Sequence, residues 1–208
     1  MTGSPASSVQ SLYFSPTGST RRIVEAIAEG TGVPSLAPIS VTTPQDRDSF
    51  SGQIDGDLLI VGVPVYEGRF PSLVLSPLSK VDGAGRLALP VAVCGNVRMG
   101  TRLAELCAIL KRQGFTIPAA GNFIARHSFA CEGFPIGEGR PDKDDLSVAA
   151  EFGLRVADKI AKDPEDITCL YGDHTYIRMY VSGSTEAKGL GSLPEPFRGL
   201  IRVSGHDD

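Results

Sequence analysis

The chain of 208 residues lacks the features that would place it in several functional classes. It has no excess of basic residues, because its formal net charge is −4, so we expect no surface for nucleic acid. Its apolar runs are too short to span a bilayer, since Gly62, Pro64, Pro71 and Pro90 interrupt them. The beginning, Met1–Ser8, is small and polar and does not resemble a signal peptide. We therefore expect a cytoplasmic protein that binds neither nucleic acid nor a membrane.

Cysteine is scarce and badly spaced for a metal centre. The four cysteines are Cys94, Cys107, Cys131 and Cys169, and no two of them form a Cys-x-x-Cys pair. This spacing suits neither a zinc site nor an iron–sulfur cluster, so the expected state is the free thiol. Cys107 lies in a helical pattern and is expected in the core. Cys94 ends an apolar strand beside a candidate site, so we expect it to touch a ligand without doing chemistry.

Short apolar runs alternate with helical patterns, as in repeated βα units that build a parallel sheet. The predicted strands lie near Val9–Phe14, Ser35–Ile39, Asp57–Val63, Leu87–Cys94 and Thr116–Phe123. The predicted helices lie near Ser19–Glu29, Pro71–Lys80, Arg98–Gln113 and Asp142–Lys162. Pro90 cannot donate a hydrogen bond to a neighbouring strand, so the fourth strand is expected to begin near it. The pattern predicts an α/β fold with an open, doubly wound sheet and helices on both faces.

The chain divides into a domain, residues 1–162, and a C-terminal extension, residues 163–208. The extension contains a β-like piece, Thr175–Val181, followed by a segment rich in glycine and serine. Its aromatic and apolar side chains, such as Tyr176 and Met179, favour burial over disorder. We expect the extension to pack on the domain or on a partner, and homodimerisation stays open.

The segment Phe14–Arg22 joins the first strand to the first helix and is rich in hydroxyl groups around one glycine. A lone helix cap and an anion-binding site explain such a turn equally well. It matches neither the Walker pattern, since no Gly-Lys-Ser/Thr follows, nor the dinucleotide fingerprint, since Gly18 is its only glycine. Four hydroxyls without a lysine favour a phosphate monoester, and the phosphate of FMN is the obvious candidate.

Ligands of doubly wound sheets bind beyond the carboxyl ends of the strands, which directs attention to two further loops. After the third strand, Tyr66 offers a flat surface for a planar ring, Gly68 gives a mobile backbone, and Arg69 is near the expected ring edge. After the fourth strand, the backbone amides and Asn96 can reach the polar edge of such a ring. Each loop alone is equally well explained as a turn. Three loops after the right strands together favour a flavin site.

These segments resemble the flavodoxin family. Ser15–Thr20 is similar to the flavodoxin phosphate loop, and Pro64–Pro71 and Gly95–Asn96 are similar to its two ring-binding loops. Gly139–Asp142 matches a segment of the flavodoxin half of fused ferredoxin–flavodoxin proteins (EFR-type) of anaerobes. The resemblance covers about Val9–Lys162, and the ferredoxin half is missing here.

The resemblance implies a flavodoxin-like five-stranded parallel sheet with strand order 2-1-3-4-5, a bound FMN, and one- or two-electron transfer. The implied protein redox partner is a ferredoxin, a reductase or an acceptor enzyme. It implies no catalytic residue and no metal ligand. The implied cofactor-binding residues are Ser15, Pro16, Thr17, Gly18, Ser19, Thr20, Pro64, Val65, Tyr66, Glu67, Gly68, Arg69, Cys94, Gly95, Asn96, Arg98 and Met99.

Two other functions remain open on the same fold. The first is an NAD(P)H-dependent quinone or flavin reductase, whose nicotinamide pocket would be lined by Tyr66, His127 and Phe129. The second is a non-redox binding protein whose flavin site has decayed. A loop histidine that only bonds backbone is the simpler interpretation of His127. Asp142 and Asp145 are interpreted as helix-capping residues.

Overall fold

The computed structural model describes residues 6–95, 102–128, 130–132 and 135–162. Within these residues the strands are β1 (Val9–Tyr13), β2 (Ile39–Ser40), β3 (Leu58–Val65), β4 (Leu87–Cys94) and β5 (Gly121–Ile124). The helices are α1 (Ser19–Gly30), α2 (Pro44–Ser49), α3 (Ser72–Lys80), α4 (Arg102–Arg112) and α5 (Lys143–Lys162). All paired strands are parallel, in the order β2-β1-β3-β4-β5. The predicted doubly wound sheet and its strand order are confirmed.

Two apolar layers cover the two faces of the sheet. Strands β3 and β4 are buried along their whole length, which explains their almost continuous apolar sequence. Helices α1 and α5 pack on one face through side chains such as Ile23, Ile27 and Phe152. Helices α3 and α4 pack on the other face through side chains such as Leu78 and Leu106. The apolar side chains of these helices therefore serve packing.

The predicted bounds of β4, Leu87–Cys94, are confirmed, but Pro90 lies inside the strand and not at its beginning as expected. The Leu87 N–H points toward β3, and the Ala88 N–H donates to Thr116 O on the β5 side (2.8 Å). Since these directions alternate along a strand, position 90 also faces β5. Paired residues of β5 begin only at Gly121, opposite the residue after Pro90. Because the pairing with β5 begins only after Pro90, the missing N–H of Pro90 removes no hydrogen bond between these two strands.

Strands β2 and β5 are shorter than predicted. β2 contains only Ile39–Ser40, and the predicted start at Ser35 makes an isolated bridge to Val9. β5 begins at Gly121, although Thr116 makes an isolated bridge to Leu87. In both places one isolated bridge to the sheet precedes the strand, and the residues between bridge and strand are not paired. The predicted segment is therefore longer than the strand.

Helix α2 was not predicted, although the sequence carries its start signal. Thr43 precedes Pro44, which occupies the first helical position. The Asp46 N–H donates to Thr43 Oγ1 (3.1 Å), and the Thr43 N–H donates to Asp46 Oδ2 (2.9 Å). This reciprocal capping box fixes a helix too short to show an apolar stripe.

The beginning predicted for α4, near Arg98, lies outside the described residues, as does the extension after residue 162. The proposed division of the chain at residue 162 therefore stays a prediction. None of the helices in the described ranges is both long enough and apolar enough to cross a membrane.

Helices α1 and α5 approach each other through two glycines. A Cβ atom at Gly30 would overlap the carbonyl oxygen of Ala150, and one at Gly153 would overlap that of Ile27. Glycine is unfavourable inside a helix by about 0.5–1 kcal/mol relative to alanine. Its presence at Gly153 is therefore explained by the contact between the helices.

We predict that Gly153→Ala lowers the free energy of unfolding by about 1–3 kcal/mol, because the helices must separate to admit the methyl group. Helix propensity alone would change the stability in the opposite direction. Ser147→Ala, at an exposed position of the same helix, is the control and should change stability by less than about 0.5 kcal/mol. Urea denaturation measures both. A Gly153→Ala variant as stable as the wild type would show that the helices are not in close contact.

A buried ion pair fixes the start of α5. The Asp145 N–H donates to Asp142 Oδ1 (2.9 Å), and the Asp142 N–H donates to Asp145 Oδ2 (3.0 Å), so both capping predictions are confirmed. Arg140 Nε also donates to Asp145 Oδ2 (2.8 Å). Burial would raise the pKa of Asp145, but the bonds from Arg140 and Asp142 and the charge of Arg140 outweigh it and hold the pKa below its ordinary value.

We predict that Asp145→Asn costs about 3 kcal/mol of unfolding free energy near neutral pH, because the buried Arg140 loses the carboxylate of Asp145. The folded pKa lies below the unfolded value of about 3.9, so the stabilisation is complete above that pH. It is lost as the pH falls through the folded pKa. The stability difference between wild type and variant should therefore shrink from pH 6 toward pH 2.

Asp158→Asn serves as the control for this prediction. Asp158 pairs with Lys162 at the exposed end of the same helix (2.6 Å). Such exposed pairs contribute little, so its removal should change stability by less than about 1 kcal/mol. Chemical denaturation at several pH values gives the comparison. A constant Asp145→Asn effect between pH 6 and pH 2 would contradict the assigned role of the ion pair.

Candidate functional site

The carboxyl ends of the strands bring the predicted site segments to one edge of the sheet. Tyr13, at the end of β1, lies opposite Gly62 of β3, whereas the end of β3 at Val65 lies opposite Cys94 of β4. β3 thus continues three residues past the end of β1, or about 10 Å at 3.3 Å per residue. The edge therefore has two levels, a lower one after β1 and an upper one after β3 and β4.

The lower level is a tight turn around Gly18. Gly18 has φ 82° and ψ −12°, a left-handed conformation that glycine adopts without steric cost. Its N–H donates to Ser15 O (3.2 Å), and its carbonyl accepts the first helical hydrogen bond, from Arg22 N (3.1 Å). Thr17 and Ser19 stand beside it, with their hydroxyl oxygens 3.4 Å apart. The turn aims the start of α1 toward the edge of the sheet.

The backbone donors at the start of α1 are only partly satisfied. The Arg21 N–H donates to Ser15 Oγ (3.0 Å), so Ser15 does cap one donor. No described residue accepts a hydrogen bond from the N–H of Ser19 or Thr20, and the first turn holds no acidic side chain. Free N–H groups and the positive end of the helix dipole attract an anion. The helix-cap interpretation therefore applies to the N–H of Arg21. The anion-site interpretation applies to the N–H groups of Ser19 and Thr20.

Thr20 adds a side-chain hydroxyl to this set of donors. The residue is 3% exposed, and its hydroxyl has no hydrogen-bond partner among the described residues. A Cβ at Gly62 would overlap Val24 and lie 3.0 Å from Thr20 Cγ2, so α1 rests directly on β3 at this glycine. The Thr20 hydroxyl is not one of the fully buried polar atoms that lack a partner, so it remains accessible to a ligand at the start of α1. An anion at the start of α1 would give it a partner.

The loop after β2, which sequence reasoning did not include, supports the turn from the side. The Ser15 N–H donates to Thr42 Oγ1 (2.9 Å). The strand order contains the signal that was missed, since β2 is the neighbour of β1 and the loops that follow them must be adjacent.

At the upper level, Tyr66–Arg69 forms a type I′ turn. The N–H of each end residue donates to the carbonyl of the other, at 2.9 Å from Tyr66 and 2.8 Å from Arg69. Both central residues have positive φ, 49° at Glu67 and 69° at Gly68, as this turn requires. A non-glycine residue in this region costs about 1–2 kcal/mol. Glu67 is therefore held in an unfavourable conformation next to a candidate ligand.

Tyr66 projects from this turn with 37% of its surface exposed. Partial burial raises the pKa of its phenol, so the hydroxyl stays neutral at physiological pH. Glu67 and Arg69 are exposed on the same turn, while Pro64 and Val65 are buried in β3. The structure thus offers one flat, accessible ring at the place where the sequence predicted it.

The third predicted loop is described only at its beginning. Cys94 is 4% exposed and packs in a small apolar cluster with Val65, Ala92 and Ile124. Its side chain is therefore part of the core at the end of the sheet. Gly95 follows at the edge. The remaining predicted residues of this loop, Asn96, Arg98 and Met99, lie outside the described residues.

The other cysteines follow the expectation of free thiols where the structure describes them. Cys107 is buried, Cys131 is exposed, and neither forms a disulfide. The described ranges contain no group of three or more histidine, cysteine or acidic side chains arranged to hold a metal ion.

The chain is similar to known proteins in structure only. No protein-family model matches it, and no curated protein is similar to it in sequence. A flavodoxin from the domain Archaea superposes with a TM-score of 0.50 at 16% identity, covering 74% of this chain and 99% of that one. The flavodoxin of Streptococcus pneumonia TIGR4 gives a TM-score of 0.51 at 15% identity, with 74% and 97% covered.

A larger protein contains the same arrangement as one part. The flavodiiron protein from Giardia intestinalis gives a TM-score of 0.51 at 14% identity, covering 74% of this chain but 36% of that protein. At these identities the likeness concerns the fold. Together with the parallel order β2-β1-β3-β4-β5, it shows that the described part of the chain has the flavodoxin-like fold.

Proposed function

We propose that this protein binds FMN at the carboxyl edge of its sheet and transfers electrons between protein redox partners. The observation that carries the proposal is the start of α1, where two backbone N–H groups and the Thr20 hydroxyl have no partner among the described residues. These are neutral donors, and they suit the phosphate of a monoester. When bound, FMN supplies the ability to accept and release one or two electrons.

The two levels of the edge support a ligand with a phosphate at one end and a flat ring at the other. The phosphate would lie at Gly18–Thr20, and the ring would lie against Tyr66 and the backbone after Cys94. The level difference of about 10 Å leaves room for a connecting chain between the two groups. Tyr66 would cover one face of the ring, while its exposed position keeps the ring edge accessible to a partner protein.

We also propose that the domain corresponds to the flavodoxin half of fused ferredoxin–flavodoxin proteins. The segment Gly139–Asp142 supports this relation, since Arg140 and Asp142 both bond to Asp145 and fix the start of α5. A separate ferredoxin, a reductase or an acceptor enzyme would then be the redox partner.

We predict that Thr20→Val weakens FMN binding by at least about 10-fold, the effect of losing one hydrogen bond to a charged group. The same change should leave the stability of the flavin-free protein unchanged or raise it, because the hydroxyl has no partner to lose. Riboflavin, which lacks the phosphate, should bind the variant and the wild type equally. Fluorescence titration and urea denaturation measure these effects.

Thr31→Val is the matched control at the opposite end of α1. Thr31 is 5% exposed, but its hydroxyl donates to Ala28 O (2.6 Å). Its removal should therefore destabilise the protein by about 1 kcal/mol and leave FMN affinity unchanged. If Thr20→Val behaved like Thr31→Val, the phosphate would not be bound at the start of α1.

We predict that NADPH alone does not reduce the FMN-loaded protein faster than it reduces free FMN under anaerobic conditions. A carrier receives its electrons from a reductase, so bleaching of the flavin absorbance should require addition of such a protein. Stopped-flow absorbance at the flavin band makes the comparison. Fast bleaching by NADPH without a reductase would instead favour an NAD(P)H-dependent reductase on the same fold.

A further inference from the structure

We propose that His127, in the loop after β5, is a positioning residue for the ring end of the site. This inference rests on the proposed function, because the ring it positions is that of FMN. His127 would act through the backbone at Gly95, where the loop predicted to reach the polar edge of the ring begins. It would not affect phosphate binding at Gly18–Thr20, since those residues lie at the lower level of the edge.

The two loops touch at Gly95 and His127. A Cβ at Gly95 would lie 2.5 Å from His127 Cδ2 and 2.7 Å from His127 Cα, closer than any real contact of this kind. The backbone of Gly95 therefore rests directly against the imidazole ring and the backbone of His127. Below this contact the Ala125 N–H donates to Cys94 O (2.8 Å), which joins the ends of β4 and β5. The position of Gly95 is thus bounded by the histidine.

His127 is itself held in place by hydrogen bonds of its backbone. Its N–H donates to Ile136 O (3.0 Å), and its carbonyl accepts from the Ala130 N–H (3.0 Å). The ring is half-buried, as expected for a side chain packed against a neighbouring loop. The backbone of His127 is therefore fixed beside Gly95.

The neighbouring Arg126 connects this loop to the core. Its N–H donates to Arg140 O (3.1 Å), its Nη2 donates to Ala130 O (3.0 Å), and its Nε donates to Glu138 Oε2 (2.9 Å). Arg140 forms the buried ion pair with Asp145 at the start of α5. A continuous series of contacts thus runs from α5 through the loop to His127 and Gly95. A loop fixed in this way can set the position of the loop it touches.

The contact predicts a specific pattern of affinities. His127→Ala should weaken FMN and riboflavin by the same factor, about 10-fold, equivalent to about 1.4 kcal/mol. The factor is equal because both ligands share the ring. His127→Phe keeps a ring against Gly95 and should bind both flavins within about threefold of the wild type. The visible circular dichroism of bound FMN should change in His127→Ala and be restored in His127→Phe.

Gly95→Ala tests the same contact from the other side, since its methyl group would collide with His127. It should also weaken both flavins equally. Fluorescence titrations with FMN and riboflavin give the affinities, and denaturation shows that each variant is folded. The Gly95 variant keeps the test decisive if His127→Ala fails to fold.

Two outcomes separate this inference from the proposed function. Wild-type protein that binds FMN, with unchanged affinity and circular dichroism in a folded His127→Ala, would overturn the positioning role alone. A loss confined to FMN would overturn it too, because the effect would then lie at the phosphate. Wild-type protein that binds neither flavin would overturn the proposed function and the positioning role together.

Discussion

Hydrogen-bond donors left without partners at the start of α1 are the feature on which the rest of the site depends. Helix α1 can lie directly on β3 because Gly62 has no side chain, and this contact buries Thr20 beside the free N–H groups. Gly18 turns the chain so that these donors face the edge of the sheet. An anion there would give these donors a hydrogen-bond partner. The upper loops would then hold the ring of the same ligand.

The sheet and its helices could be predicted because their signals are local and strong. Continuous apolar runs marked β3 and β4, and apolar stripes marked α4 and α5. The short strand β2, the start of β5 and helix α2 could not be placed in the same way, since their boundaries depend on which neighbour the chain meets. Pro90 illustrates the difference. Its tolerance inside β4 follows from the absence of β5 at that level, which no local pattern reveals.

The site was predictable as a set of loops but not as a set of contacts. The hydroxyl-rich turn predicted Ser15 and Thr20 as site residues. The sequence could not show that the Ser15 hydroxyl caps a backbone donor while the Thr20 hydroxyl has no partner among the described residues. The position of Cys94 at the end of a strand did not show that its side chain packs in an apolar cluster. Thr42 and the contact of Gly95 with His127 depend on the order of strands in space, so only the fold revealed them.

The central claim is that the start of α1 binds the phosphate of FMN as an anion. Phosphorus NMR of FMN bound to the wild-type protein, recorded between pH 5 and pH 9, tests it most directly. A free phosphate monoester titrates with a second pKa of about 6. Hydrogen-bond donors need an acceptor with lone pairs and therefore favour the dianion, so we expect a bound resonance that does not shift across this range. A bound resonance that titrates like that of free FMN would contradict it.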